Sequence, residues 1–141
     1  MKRFSAETDI NAPPEAVWRV LADVANWSKW DPTTDAAGGV VEKGGQLTFH
    51  SSQAPGQSLK VNLTAVDEPF LLEWTGGVAR AFTTLRTHRI VPDGDQASKV
   101  EVSEEFSGAL LPMIEKQIPD IGAQLDEFLD GLKKRVETGT A

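Results

Sequence analysis

Residues 111–138 read LPMIEKQIPDIGAQLDEFLDGLKKRVET. Within this stretch Ile114, Ile118, Ile121, Leu125, Phe128, Leu132 and Val136 recur at steps of three or four. An α-helix turns once in about 3.6 residues, so these side chains fall on one face. A stripe of that length has to be buried, and almost everything upstream reads as strand. The spacing therefore predicts a long C-terminal helix lying on a sheet. A sheet of many strands twists and curls, and its concave side is where a helix packs. The gap between the two is expected to be an apolar cavity. Pro119 interrupts the stripe and should set residues 111–118 at an angle to the rest. That kink is either a static feature or a device that shapes entry to the cavity.

Upstream, Phe4, Ala6, Thr8 and Ile10 alternate with Ser5, Glu7 and Asp9, the pattern of a half-buried strand. Pro14 then suits the first position of a helix and Glu15 complements its positive end. Val17, Trp18, Val20, Leu21 and Val24 supply the apolar side of that short helix, and residues 25–30 form a second short turn, stopped by Asp31-Pro32. Strands follow between turn signals. Gly38-Gly39 precedes an expected strand at Val40-Val41, and Lys43-Gly44-Gly45 turns into residues 46–51. Leu59, Val61, Leu63 and Ala65 alternate with polar residues. Residues 70–74 form a further strand, which Gly76-Gly77 separates from a long one over residues 82–91. Pro92-Asp93-Gly94-Asp95 turns into the last strand, residues 99–106. Short turns require antiparallel neighbours. The fold class is α+β, a curved antiparallel sheet of about six to seven strands around a long C-terminal helix, with two short helices after the first strand.

The chain has 141 residues, which suits one domain over residues 1–141. It contains no cysteine, so disulfide and thiolate chemistry are excluded. The first residues lack the apolar core of a secretory signal, no run approaches the length needed to span a bilayer, and the cytoplasm is the expected location. A net charge of −7 argues against a nucleic-acid partner, because phosphate contacts need clustered cations. The densest basic cluster, Lys133-Lys134-Arg135, lies at a helix C-terminus, where the macrodipole favours cations.

The stretch Ile10-x-Ala12-x-Pro14-Glu15-x-Val17-Trp18, followed by Leu21-x-Asp23, Trp27 and Trp30, and the closing Glu104-Glu105-Phe106-Ser107-Gly108, resemble the START-like superfamily. Within it the chain is similar to the bacterial SRPBCC branch, the polyketide cyclase/dehydrase-like proteins. The resemblance covers the whole chain and implies a helix-grip fold with an apolar pocket between sheet and helix. Members bind lipids, hormones, quinones or polyketides, and a minority are enzymes, so the fold alone does not name a function. Pro13 departs from the pattern, standing where relatives often carry a small hydroxylated cap residue.

The candidate chemistry sits on two strands. Arg86 and His88 share a face of the long strand, and Glu104 shares one with Val102 and Phe106. A hairpin between these strands can bring His88 and Glu104 onto one inward surface. Such a pair can act as general acid and base in a cyclisation or dehydration, hydrogen-bond the polar head of a ligand, or simply satisfy itself. Arg86 can neutralise Glu104 or a ligand carboxylate. Trp27 and Trp30 are expected to wall one end of the pocket. Phe49, Val61, Leu63, Trp74, Leu125, Met113, Ile114 and Ile118 complete the expected ligand-binding set, with Met113 and Ile114 at its mouth. Trp18 is expected in the core and His50 in solvent.

Two histidines without metal-ligand spacing predict no metal site, and no phosphate loop or serine triad is present. No cofactor is expected. The leading expectation is a binder of a lipophilic small molecule. A polyketide cyclase or dehydratase using His88 and Glu104 is the alternative from another class, and a co-chaperone-like interaction module is the third. The pattern leaves the oligomeric state open.

Overall fold

A computed structural model describes residues 2–51, 59–78, 82–109, 111–114 and 120–139, with backbone alone for Ser51, Val78, Met113 and Ile114. The strands are β1 (Lys2–Ile10), β2 (Thr34–Gly39), β3 (Gln46–Ser51), β4 (Leu59–Asp67), β5 (Leu71–Val78), β6 (Phe82–Pro92) and β7 (Ser98–Ser107). The helices are α1 (Pro14–Leu21), α2 (Leu111–Ile114) and α3 (Ile121–Thr138), and a 3-10 helix spans Val24–Lys29. Strands β2 to β7 form an antiparallel meander, and β1 adds beside β7, giving one curled seven-stranded sheet of order β1-β7-β6-β5-β4-β3-β2. The concave side holds the core, with α3 lying chiefly against β1 and with α1 beside it.

Local sequence accounts for the elements. In β1 the side chains alternate between exposed and half-buried, as the strand pattern predicts. Pro14 occupies the first turn of α1, Glu15 lies at its positive end and Arg19 in its last turn. Pro13 at the cap position makes no side-chain hydrogen bond, as its departure from the related sequences implied. In α3 the residues Ile121, Leu125, Phe128, Leu129 and Leu132 are buried. Two polar ties hold α3 to the end of β1. Lys133 Nζ donates to the Asp9 carbonyl, and Glu137 Oε2 accepts from the Asn11 amide at 2.9 Å.

Three local expectations are corrected. The part of the terminal stripe from Ile121 onward lies on a helix that begins afresh, with Asp120 outside the helical conformation at φ −69° and ψ 88°. Asp120 starts α3, its Oδ1 accepting from the Ala123 amide at 3.1 Å and satisfying a donor that a continuing helix would not leave free. Pro119, and with it the expected kink and gate, lies outside the described residues. Second, Val40 and Val41 form no strand. Strand β2 is the preceding stretch and ends at Gly39, so Val40 is left 69% exposed. Third, Gly76 and Gly77 do not separate strands but lie inside β5. Gly77 has φ of 121°, and a Cβ there would stand 2.4 Å from the Phe82 carbonyl oxygen. Glycine thus lets β5 run on close against β6.

Candidate functional site

The concave face gathers most of the large aromatic side chains. Trp27 is 1% exposed, and its ring centroid lies 5.0–6.1 Å from those of Trp30, Phe49, Trp74, His88 and Phe128. Its indole Nε1 donates to the Leu21 carbonyl at 2.9 Å, which ties the ring to the end of α1. Expected at one end of the pocket, Trp27 instead stands at the centre of this interior. Alternation explains part of the assembly. Leu72 and Trp74 on β5 face inward with His88 on β6 and Phe49 on β3, and the 3-10 helix delivers Trp27 from the opposite side.

Among these rings lies a polar row. The register pairs Arg86 with Glu104 and His88 with Val102, so His88 and Glu104 are diagonal neighbours on adjacent strands. Arg86 stands between them. Its Nε donates to His88 Nε2 at 3.0 Å, and its Nη1 lies 3.7 Å from Glu104 Oε2. Guanidinium nitrogens only donate, so His88 Nε2 must carry its lone pair. The Nδ1–H then donates to the Leu72 carbonyl at 3.1 Å, and the imidazole is neutral with both nitrogens in use. The guanidinium also lies over Phe128, 4.6 Å from the ring centroid, and 5.9 Å from that of Trp74. Its Nη2 is buried and has no acceptor among the described residues.

Burial sets the protonation states. His88 is fully buried, and the loss of water, reinforced by the Arg86 charge, holds its pKa well below the ordinary imidazole value. Burial pushes the Glu104 carboxyl up, opposed by Arg86. Neither Arg86 nor Glu104 is sealed off, their side chains being 17% and 16% exposed. The polar row therefore reaches from the buried imidazole towards the surface.

His88 makes stability depend on pH with a definite sign. The unfolded chain takes up a proton on an ordinary imidazole near 6.5, and the native protein refuses it. Stability is then lost as pH falls below about 6.5, by up to about 1.4 kcal/mol per pH unit. Glu104 acts in the opposite sense. Between the ordinary 4.5 and its raised value, native protein keeps a proton that the unfolded chain releases, so stability rises as pH falls through that window. Urea unfolding at stepped pH from 7 to 5 should show the His88 loss in wild type, and the slope should flatten in His88→Gln. An equal slope in both proteins would contradict a neutral buried His88.

Of the expected ligand-binding residues, the structure brings together Trp27, Trp30, Phe49, Trp74, Arg86, His88 and Glu104. Val61, Leu63 and Leu125 are buried at 1%, 3% and 0% exposure in the same core cluster as Trp27, Trp30, Trp74 and Phe128, with Leu63 opposite Trp74 across β4 and β5. The side chains of Met113 and Ile114, and all of Ile118, lie outside the described residues. Phe128 was missed, although it stood in the α3 stripe. A residue on the buried stripe of the long C-terminal helix, and aromatic besides, was the available signal. His50 is exposed and Trp18 buried, both as expected. Among the described residues no group of His, Asp and Glu is arranged to hold a metal ion. Among the described residues no helix is long and apolar enough to cross a membrane.

The cavity expected between sheet and helix is filled at its centre by these packed rings, and two hollows among the described residues lie outside it. A groove of about 360 Å³ runs between the end of α1 and the β2–β3 connection, bounded by Trp18, Val24, Val40, Val41 and Val66. A smaller one of about 280 Å³ lies on the outer face of β1, β7 and β6 and is polar, with Arg3, Glu7, Arg89 and Glu101 on its walls.

A curled antiparallel sheet holding a C-terminal helix over an aromatic interior is the helix-grip architecture of START-like proteins. A family model described as polyketide cyclase / dehydrase and lipid transport matches residues 1–137, and the chain belongs to that family. The fold is similar to that of truncated norcoclaurine synthase from Thalictrum flavum, with TM-score 0.74 and 17% identity over 97% of this chain and 94% of that one. A START superfamily protein from Mycobacterium smegmatis gives TM-score 0.75 and 20% identity over 98% and 99% of the two chains. The Aha1 dimer from Colwellia psychrerythraea gives 0.75 and 16% over the whole of both chains. No curated protein matches the chain by sequence.

Proposed function

We propose that this protein binds a lipophilic small molecule, of lipid, quinone or polyketide-like type, in the aromatic interior between sheet and α3. The observation that carries the reading is the Arg86 Nη2, a buried charged donor with no acceptor among the described residues, set among aromatic walls. An unmet buried donor costs about 1–3 kcal/mol, and a bound acceptor recovers it. Apolar walls with a few convergent polar groups are the usual make-up of a ligand site. The family's description, which joins cyclase/dehydrase activity to lipid transport, supports the same reading.

The cyclase or dehydratase alternative draws less support. His88 has no free lone pair with which to take a proton, since Nε2 accepts from Arg86 and Nδ1 donates to Leu72. An interaction module would present a broad exposed apolar patch. Of the large exposed apolar side chains described, Val40, Leu59, Phe70 and Val91, just Val40 is more than half exposed.

Native mass spectrometry of the protein with lipids, quinones and aromatic polyketides tests the proposal. A one-to-one complex with at least one class is expected. Failure of every class to remain bound would overturn it.

A further inference from the structure

Resting on that binding site, we infer that its preferred ligand is a flat, uncharged molecule whose carbonyl oxygen accepts from Arg86 Nη2, in preference to the corresponding carboxylic acid anion. Three observations carry this.

The first is donor bookkeeping. Arg86 spends Nε on His88, faces Glu104 with Nη1 and leaves Nη2 unmet. Nη2 carries two N–H groups and meets no acceptor among the described residues, and a carbonyl oxygen gives it one. A hydrocarbon cannot, and an alcohol brings a hydrogen that then needs a partner of its own.

The second is charge. His88 is neutral, as its hydrogen bonds require, and Glu104 already faces the Arg86 cation at 3.7 Å. The cluster therefore sums to zero. An anionic ligand would place a second carboxylate on one guanidinium and leave a net negative charge in a largely dehydrated interior, which is costly. A neutral carbonyl gains a hydrogen bond from a charged donor and leaves the sum unchanged.

The third is shape. The rings of Trp27, Trp30, Phe49, Trp74 and Phe128 pack at centroid separations of 5.0–5.7 Å, tilted to one another by 35–56°. An occupant has to part these rings, and a flat one parts them least while stacking on what it displaces.

A matched series separates the terms. The probes are 2-acetylnaphthalene, a flat ketone; 2-ethylnaphthalene, nearly the same shape without an acceptor; and 2-naphthoate, the anion. Each is titrated calorimetrically at pH 8 into wild type, Arg86→Met and Glu104→Gln. The ketone should bind wild type at least about tenfold more tightly than the ethyl compound, the factor expected of one hydrogen bond from a charged donor. It should also bind more tightly than naphthoate. In Arg86→Met the advantage of the ketone over the ethyl compound should vanish while the ethyl compound still binds. In Glu104→Gln, a near-isosteric change that removes the counter-charge, naphthoate should gain at least about tenfold and the ketone little.

Equal binding of ketone and ethyl compound by wild type would overturn the Arg86 contact and leave the binding site standing. Naphthoate binding wild type more tightly than the ketone would overturn the preference for a neutral ligand. Should Arg86→Met fail to fold, the wild-type ratios and Glu104→Gln still decide both points. Failure of the binding reading itself has a different signature, no complex with any of these probes or with the wider panel.

Discussion

Trp27→Ala should lower the free energy of unfolding by about 3–5 kcal/mol, read from urea denaturation at pH 7.5. The ring is 1% exposed and touches the rings of Trp30, Phe49, Trp74, His88 and Phe128, so its removal strips packing from both layers of the fold at once. Truncation also leaves the buried Leu21 carbonyl without the indole donor it holds at 2.9 Å. Trp27→Phe should lose less, since it refills much of the volume and forfeits the hydrogen bond. A loss below about 1 kcal/mol for the alanine variant would mean that the centre of the interior is loosely filled, and the packing described here would be wrong.

Gly131→Ala should destabilise by roughly 2–4 kcal/mol, although alanine is the better helix former. The Gly131 Cα backs onto the carbonyl of Trp30, and a Cβ there would lie 2.0 Å from that oxygen and 3.1 Å from its carbon. The obstacle is backbone, so no side-chain rotation relieves it, and α3 must move away from the 3-10 helix that carries Trp27. Gly122 is the internal control on the same helix. Its nearest obstacle is the Asp120 carboxylate at 3.5 Å, an ordinary contact. Gly122→Ala should be neutral or up to about 1 kcal/mol stabilising. Thermal or urea unfolding of the two variants side by side checks the contrast, and a Gly131→Ala protein as stable as wild type would show that α3 does not sit where it is placed here.

Much of this architecture was legible in the residues. Strict alternation over residues 4–10 and the spacing of Ile121, Leu125, Phe128 and Leu132 are local signals, and local signals survive into the fold. The strands at Val40-Val41 and at Gly76-Gly77 were misread because the deciding information is not local. Ala and Gly in β2 are held by pairing with β3, and a glycine pair that looks like a break lets β5 run on beside β6. The site followed the same division. Inward facing of Arg86, His88 and Glu104 came from strand period. That Arg86 would interpose itself between the other two came from register, which alternation cannot supply. The central place of Trp27 and the close approach of Gly131 to Trp30 both come from how the 3-10 helix meets α3, a tertiary contact with no trace in either segment alone.

The claim on which the functional account stands is that a ligand enters the ring cluster between sheet and helix. The four tryptophans report on it directly. In a ¹H–¹⁵N spectrum each indole gives one cross-peak. Trp27, Trp30 and Trp74 lie within the cluster, while Trp18 borders the outer groove beside Val40. On saturation with 2-acetylnaphthalene the Trp27, Trp30 and Trp74 peaks should shift strongly and the Trp18 peak little. Movement of the Trp18 peak with the other three unmoved would place the ligand in the outer groove and contradict it.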